Sequence, residues 1–299
     1  MTVSERLSFV ELLNGETLSY RIRPGGEKLI LLIHGNMTSS KHWDVLMEKL
    51  SPEYTVIAPD LRGFGQSTYH ARVHHIKDFS DDLKSFVDLL NIKDLHIIGW
   101  STGGAIGMQF CIDYPNLCSK LILLASASTR GYPIYKTSED GTADFSGRFT
   151  TIEEIENDTG KTIPMQTLYD MKNREGLKAV WNAVIYTHNQ PDEKRYDEYV
   201  DDMLTQRNLA DIYHVLNTFN ISHLDNEAAK GTGEVDLIQV PVLNLYGERD
   251  RVVTFAMTQE IIEDFGGRAK SIQLDSCGHS PLVDDLEQLT KVIESFLTQ

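Results

Sequence analysis

The stretch Ile97–Gly107, IIGWSTGGAIG, sets a serine among glycines, directly after an apolar run and ahead of a small-residue segment of helical character. Glycines loosen a backbone, and the hydroxyl interrupts what otherwise reads as core. The plain reading is an ordinary strand-to-helix turn. The sharper one is that the turn exists to hold Ser101 out of the chain. At ordinary glycine and serine frequencies G-x-S-x-G arises by chance in about one chain in ten of this length, so context decides. Here Gly99-Trp100-Ser101-Thr102-Gly103 closes a predicted strand and opens a predicted helix, the setting in which the motif forms a nucleophile elbow. Such an elbow brings neighbouring backbone so close that the residues two before and two after the nucleophile must be small, as Gly99 and Gly103 are. Charge developing on Ser101 would then sit over the positive end of a helix.

Working outward, KLILLIHG, YTVIAPD, DLHIIGW and SKLILLAS read as buried strands, each a short apolar run ended by Gly, Pro, Asp or Ser. Between them lie helical patterns. In His75–Asn91 the apolar residues Ile76, Phe79, Leu83, Phe86, Val87 and Leu90 share one face, and Thr102–Tyr114 is small and apolar, as a helix packed tightly on a sheet would be. Strands alternating with helices predict an α/β fold with a mostly parallel sheet covered on both faces. Leu7–Leu13 and Thr17–Arg23, around Asn14-Gly15, predict an edge hairpin. From about Arg130 to Glu234 no buried strand is evident. Arg130–Thr150 reads as a loop, followed by helical patterns in GLKAVWNAVIYTH, Asp197–Arg207 and Leu209–Ile221. The first texture then returns, with strands in QVPVLNLYGERD and KSIQLD and helices over Thr254–Phe265 and Leu282–Leu297. The expected organisation is one sheet domain, residues 1–129 and 235–299, interrupted by a helical insertion at 130–234 that is too long for an ordinary connection.

With 44 acidic against 28 basic side chains and a formal charge of -16, nucleic acid and anionic membranes are poor partners; a small-molecule substrate is the expected one. Cys111, Cys118 and Cys277 form no metal or disulfide framework, which fits a reducing compartment. The N-terminal MTVSERLSFVELLNGETLSY carries charges where a signal peptide needs an unbroken apolar stretch, and a cytoplasmic protein is expected.

A serine hydroxyl is a weak nucleophile without a base, and the base needs an orienting acid. An elbow serine takes them in the order serine, acid, histidine. VLNLYGERDRVV puts Asp250 just past one strand, and SIQLDSCGHSPL puts His279 past the next, beside Gly278. Glu248, Asp275 and Asp236 compete for the role of acid, while no other histidine follows the last strand. An oxyanion hole requires two backbone N–H donors. Thr102, directly after the nucleophile, supplies one; the turn in LLIHGNMTSS supplies the second, from Asn36 or, next to it, Met37.

Taken together, His34-Gly35-Asn36, the DLRGFGQS run Asp60–Ser67, the Gly99–Gly103 elbow, Asp250 and His279 resemble the α/β-hydrolase family over about residues 28–125 and 238–299. The resemblance implies a sheet of about eight strands, a helical cap inserted after the sixth, and hydrolysis through a covalent acyl-enzyme. Serine at position 101 disfavours the members with an aspartate nucleophile, the haloalkane dehalogenases and epoxide hydrolases. Some members carry the acid after the sixth strand; here LASAST has no carboxylate, which favours Asp250. The expected reaction is cleavage of a small or medium carboxylic ester, with no metal and no organic cofactor. Lactones and the carbon–carbon bonds of vinylogous diketones suit the same machinery, and a ligand-binding protein on this scaffold is the alternative of another class.

Other residues have plainer readings. His34 is expected to brace the oxyanion loop, and the Gly63-Phe64-Gly65 turn lacks the third glycine of a dinucleotide site. His70, His74 and His75 lack metalloprotease spacing and read as solvated polar residues. Cys277 reads as packing and Trp100 as a pocket wall. Tyr132, Tyr135, Tyr169, Trp181, Tyr186 and Tyr213 read mostly as core of the insertion, with a few lining a pocket.

Overall fold

The structure, a computed structural model, describes residues 7–138 and 140–299; the first six residues, on which part of the leader reading rests, and Glu139 lie outside it. Strands β1 (Ser8–Glu11), β2 (Thr17–Arg23), β3 (Lys28–Ile33), β4 (Tyr54–Pro59), β5 (Leu95–Trp100) and β6 (Cys118–Leu124) precede a two-stranded hairpin of β7 (Tyr135–Thr137) and β8 (Ala143–Arg148). Strands β9 (Val242–Gly247) and β10 (Ala269–Leu274) follow. Eight of them form one sheet in the order β1-β2-β4-β3-β5-β6-β9-β10. The pairs β1–β2 and β2–β4 are antiparallel and every other neighbour is parallel. The predicted edge hairpin turns at Asn14-Gly15, where Gly15 has φ 85°.

The central strands carry apolar residues at successive positions, as in LILLI of β3, because both faces are covered. Ile30, Leu32, Val56, Ala58, Ile98, Ile122 and Leu124 join one cluster with α1 (Asp44–Lys49) and the last helix. Leu31, Ile33, Ile57, Ile97, Leu121 and Leu123 point the other way, to α2 (Ile76–Leu89), α3 (Thr102–Asp113) and α9 (Phe255–Phe265). Alternation along each strand thus divides the core into two layers. Helix α3 is buried from Thr102 to Ile112, in keeping with its small, mostly apolar sequence.

The insertion runs between β6 and β9. Its helices are α4 (Ile152–Glu156), α5 (Thr162–Asp170), α6 (Arg174–Val184), α7 (Glu193–Met203) and α8 (Leu209–Thr218). Four expectations are corrected. The supposed loop over Arg130–Thr150 contains the β7–β8 hairpin, turned by Gly141 at φ 84° and by Asp140, whose carboxylate accepts from the Thr142 amide at 3.0 Å. Tyr135 lies in that hairpin, half-buried against Phe145, and not in a helical core. The single final helix is two: α10 (Pro281–Asp284) and α11 (Leu286–Leu297), broken at Asp285, whose side chain caps α11 through the Gln288 amide at 2.8 Å. Helix α7 also begins four residues earlier than expected, because Asp192 caps it through the Arg195 amide.

Helix α7 seats the insertion on the turn after β3. Asp202 accepts a hydrogen bond from Ser39 Oγ at 2.5 Å and pairs with His42 Nδ1 at 3.1 Å, while Tyr199 stacks on the His42 ring and donates to Asp44. Burial alone would raise the Asp202 carboxyl, but the hydrogen bonds from His42 and Ser39 outweigh it and hold it below its ordinary 3.8. The anion therefore stabilises the folded state above that value, and the gain drains away as pH falls through the lowered one. Asp202→Asn is expected to destabilise the protein by about 1–3 kcal/mol, read from unfolding at pH 7. Its gap from wild type should narrow below pH 3.8. Identical midpoints at pH 7 would remove this anchor.

Candidate active site

Chain geometry at residue 101 is unusual. Ser101 follows β5 and precedes α3 with φ 56° and ψ -117°, a sparsely populated conformation for a residue with a side chain. A Cβ at Gly99 would stand 2.2 Å from the Gly103 carbonyl oxygen, and one at Gly103 would stand 2.1 Å from that of Ile33. The two flanking glycines are therefore steric requirements, as the sequence reading held.

Asp250 follows β9 and His279 follows β10. His279 Nδ1 donates to Asp250 Oδ2 at 2.9 Å, with the two side chains only 4% and 2% exposed. The other oxygen, Oδ1, accepts from the amides of Val252 at 2.8 Å and Val253 at 2.9 Å. Every lone-pair direction the carboxylate uses is thus fixed by the chain, and the ring proton sits on Nδ1, leaving Nε2 to accept. The competing acids lie elsewhere: Glu248 accepts the Ser276 amide, Asp236 pairs with Arg268 and His223, and Asp275 is exposed.

Ser101 and His279 open on one cavity of about 300 Å³, without a hydrogen bond between them. Bonds of this kind are often long until a substrate presses the groups together. Asn36, Met37 and Thr102 line the same cavity, and among the described residues their amides donate to no protein acceptor. Met37 takes φ 61°, which sharpens the turn after β3. His34 is fully buried beneath that turn. Its Nδ1 bonds the Gly35 carbonyl at 2.8 Å and its Nε2 accepts from the Leu61 amide at 2.9 Å. Burial pushes its pKa down, so it is a neutral brace. Asp60 plays a similar part in the DLRGFGQS turn, accepting from Ser19 Oγ at 2.6 Å and from the amides of Ser40 and Gln66.

Trp100 does more than wall the pocket: its Nε1 donates to the His279 carbonyl at 2.8 Å. Cys277 is buried, and burial together with nearby carboxylates pushes its thiol up to about 12, which keeps it protonated and inert. His70, His74 and His75 are exposed, and no cluster of metal-ligating side chains exists among the described residues. Of the aromatic residues of the insertion, Tyr132, Trp181 and Tyr213 line the cavity, whereas Tyr169 and Tyr186 are buried outside its wall. Two contributors carried no sequence signal. Gln206 Nε2 donates to the Asn36 side chain at 2.8 Å, tying the insertion to the turn after β3, and Lys161 reaches the cavity wall from the start of α5.

A buried histidine–aspartate couple and an elbow serine, gathered at the carboxyl ends of parallel strands, define a scaffold of the nucleophile-elbow class. The chain belongs to the alpha/beta hydrolase fold family, which it matches over residues 28–286. Its fold is similar to that of an esterase from Exiguobacterium antarcticum, with TM-score 0.75, 18% identity, and 98% of this chain and 99% of that one covered. A putative aryl esterase from Burkholderia cenocepacia gives TM-score 0.72 at 21% identity, over 98% of both chains. Among curated sequences, the 2-hydroxy-6-oxononadienedioate/2-hydroxy-6-oxononatrienedioate hydrolase of Paraburkholderia phymatum is 22% identical over 97% of this chain and 95% of its own. An uncharacterized protein of Mycobacterium tuberculosis is 35% identical over 113 residues, and this chain spans only 33% of its length. No helix among the described residues is long and apolar enough to cross a membrane.

Proposed function

We propose that the protein is a serine hydrolase that cleaves small or medium carboxylic esters under a cap formed by residues 130–234, in the cytoplasm. Ser101 Oγ attacks the ester carbonyl carbon while His279 Nε2 takes its proton. Asp250 holds the ring through Nδ1 and stabilises its charged form. The amides of Thr102 and Asn36, or Met37 in place of Asn36, receive the oxyanion. His279 returns the proton to the departing alcohol, leaving the acyl group esterified to Ser101. Water, deprotonated by His279, attacks that ester, and the carboxylic acid leaves as Ser101 recovers its proton. The observation that carries this reading is the doubly braced Asp250 carboxylate bonded to His279, on the same cavity as an elbow serine. The three free cysteines, all buried, suit a reducing compartment.

A second reading keeps the triad and replaces the ester by a carbon–carbon bond. Full-length similarity to enzymes named for 2-hydroxy-6-oxononadienedioate favours it. A fluorophosphonate probe tests the chemistry common to both. One phosphonyl group per chain is expected, on the peptide carrying Ser101, and none in His279→Ala. Labelling elsewhere, or none at all, would remove the activated serine and leave a ligand-binding protein.

A further inference from the structure

Among the residues lining the cavity beside Ser101 and His279 there are two fixed cations, Lys161 and Arg251, and no aspartate or glutamate. That sign is reversed against a chain of formal charge -16. Arg251 is exposed and donates to the Ala183 carbonyl at 3.4 Å. Lys161 is the more telling group. Its Nζ stands 4.7 Å from the centre of the Tyr213 ring and 5.3 Å from that of Tyr132, both on the cavity wall. It forms no ion pair and no hydrogen bond among the described residues. Neither phenol hydroxyl finds a protein acceptor among those residues either.

The nearest acid does not neutralise it. Asp158 Oδ1 accepts from Thr137 Oγ1 at 2.5 Å and from the Gly160 amide at 3.1 Å. Its Oδ2 accepts from the backbone amides of Lys161 at 2.9 Å and Thr162 at 3.3 Å. The carboxylate is committed to shaping the chain, while the ammonium faces the cavity. Burial pushes the Lys161 amine down to about 8, which still leaves it mostly charged at pH 7. Two ring faces soften the desolvation of an ammonium without supplying a counter-charge. The ammonium opens on the cavity with no anion of the described residues beside it, and a carboxylate entering the cavity would supply one.

Resting on the serine-hydrolase reading, we infer that the substrate carries a free carboxylate, which docks against Lys161 and the Tyr132 and Tyr213 walls while its scissile carbonyl meets Ser101. The same contact disfavours neutral esters of equal size, because filling the cavity with an uncharged group leaves the ammonium unpaired. Lys161 lies on the insertion and Ser101 on the sheet, so recognition of the anion also fixes which way round the substrate lies.

The test compares acids with their own methyl esters at pH 7. Monomethyl succinate, glutarate and adipate carry the carboxylate on the acyl side; O-acetyl-4-hydroxybutyrate carries it on the leaving side. Wild type should cleave at least one acid with kcat/KM at least about tenfold above its neutral ester. Lys161→Met should erase that ratio, and Lys161→Arg should keep part of it. A wild-type enzyme that prefers or matches the neutral esters throughout overturns the inference without any variant. So does a ratio undiminished in Lys161→Met. Ser101→Ala separates the two levels: if it is silent on every substrate, a failed ratio counts against the anion site alone, whereas continued turnover sinks the site reading and this inference together.

Discussion

Ser101→Ala is expected to lower kcat on p-nitrophenyl acetate by at least about a thousandfold, since the proposed nucleophile is lost while the proposed oxyanion donors and the cavity remain. The thermal midpoint should stay close to that of wild type. The hydroxyl makes no hydrogen bond with His279, and alanine meets the same backbone strain at φ 56° as serine does. A loss of activity with an unchanged melt thus assigns the effect to chemistry and not to folding. Near-full turnover in the variant would show that the reaction runs through a different group.

Asp250→Asn is expected to cost about a thousand- to ten-thousandfold in kcat, with the fold retained. Asparagine fits the space but has only one oxygen to meet two demands. If that oxygen takes the Val252 and Val253 amides, the NH2 faces His279 Nδ1 and forces the ring proton onto Nε2. A ring protonated there points a donor at Ser101 and accepts nothing from it. If the amide turns over, two buried backbone N–H groups lose their acceptor, at about 1–3 kcal/mol each. Neither orientation restores the wild-type pattern. A variant within tenfold of wild type would mean that another group orients the base.

The central fold is legible because its strands are short, mostly apolar runs closed by turn residues; KLILLI and LHIIGW read as strands and occur as such. The β7–β8 hairpin escapes such reading because neither of its faces is buried, so no two-residue period marks it. The break at Asp285 is hidden by apolar residues that continue at helical spacing through it; only the side-chain cap to Gln288 shows where the helix restarts. In the site, positions 101, 250 and 279 stand out because each follows a strand on one sheet edge. Lys161 is different. A lone lysine among polar helical segments looks like any solvated cation, and its meaning depends on Tyr132, 29 residues before it, and Tyr213, 52 after, closing around it in space. Gln206 is illegible for the same reason: its partner Asn36 is 170 positions away.

The indole of Trp100 fastens the residue before the elbow to the carbonyl of His279, 179 positions downstream. A pocket-widening change at Trp100, an obvious step in redesigning selectivity toward bulkier molecules, would therefore cut the strap that holds His279, the proposed base. Libraries meant to enlarge the cavity do better to vary Val180, Val184 and Leu216 of its lining, which carry no hydrogen bond to His279.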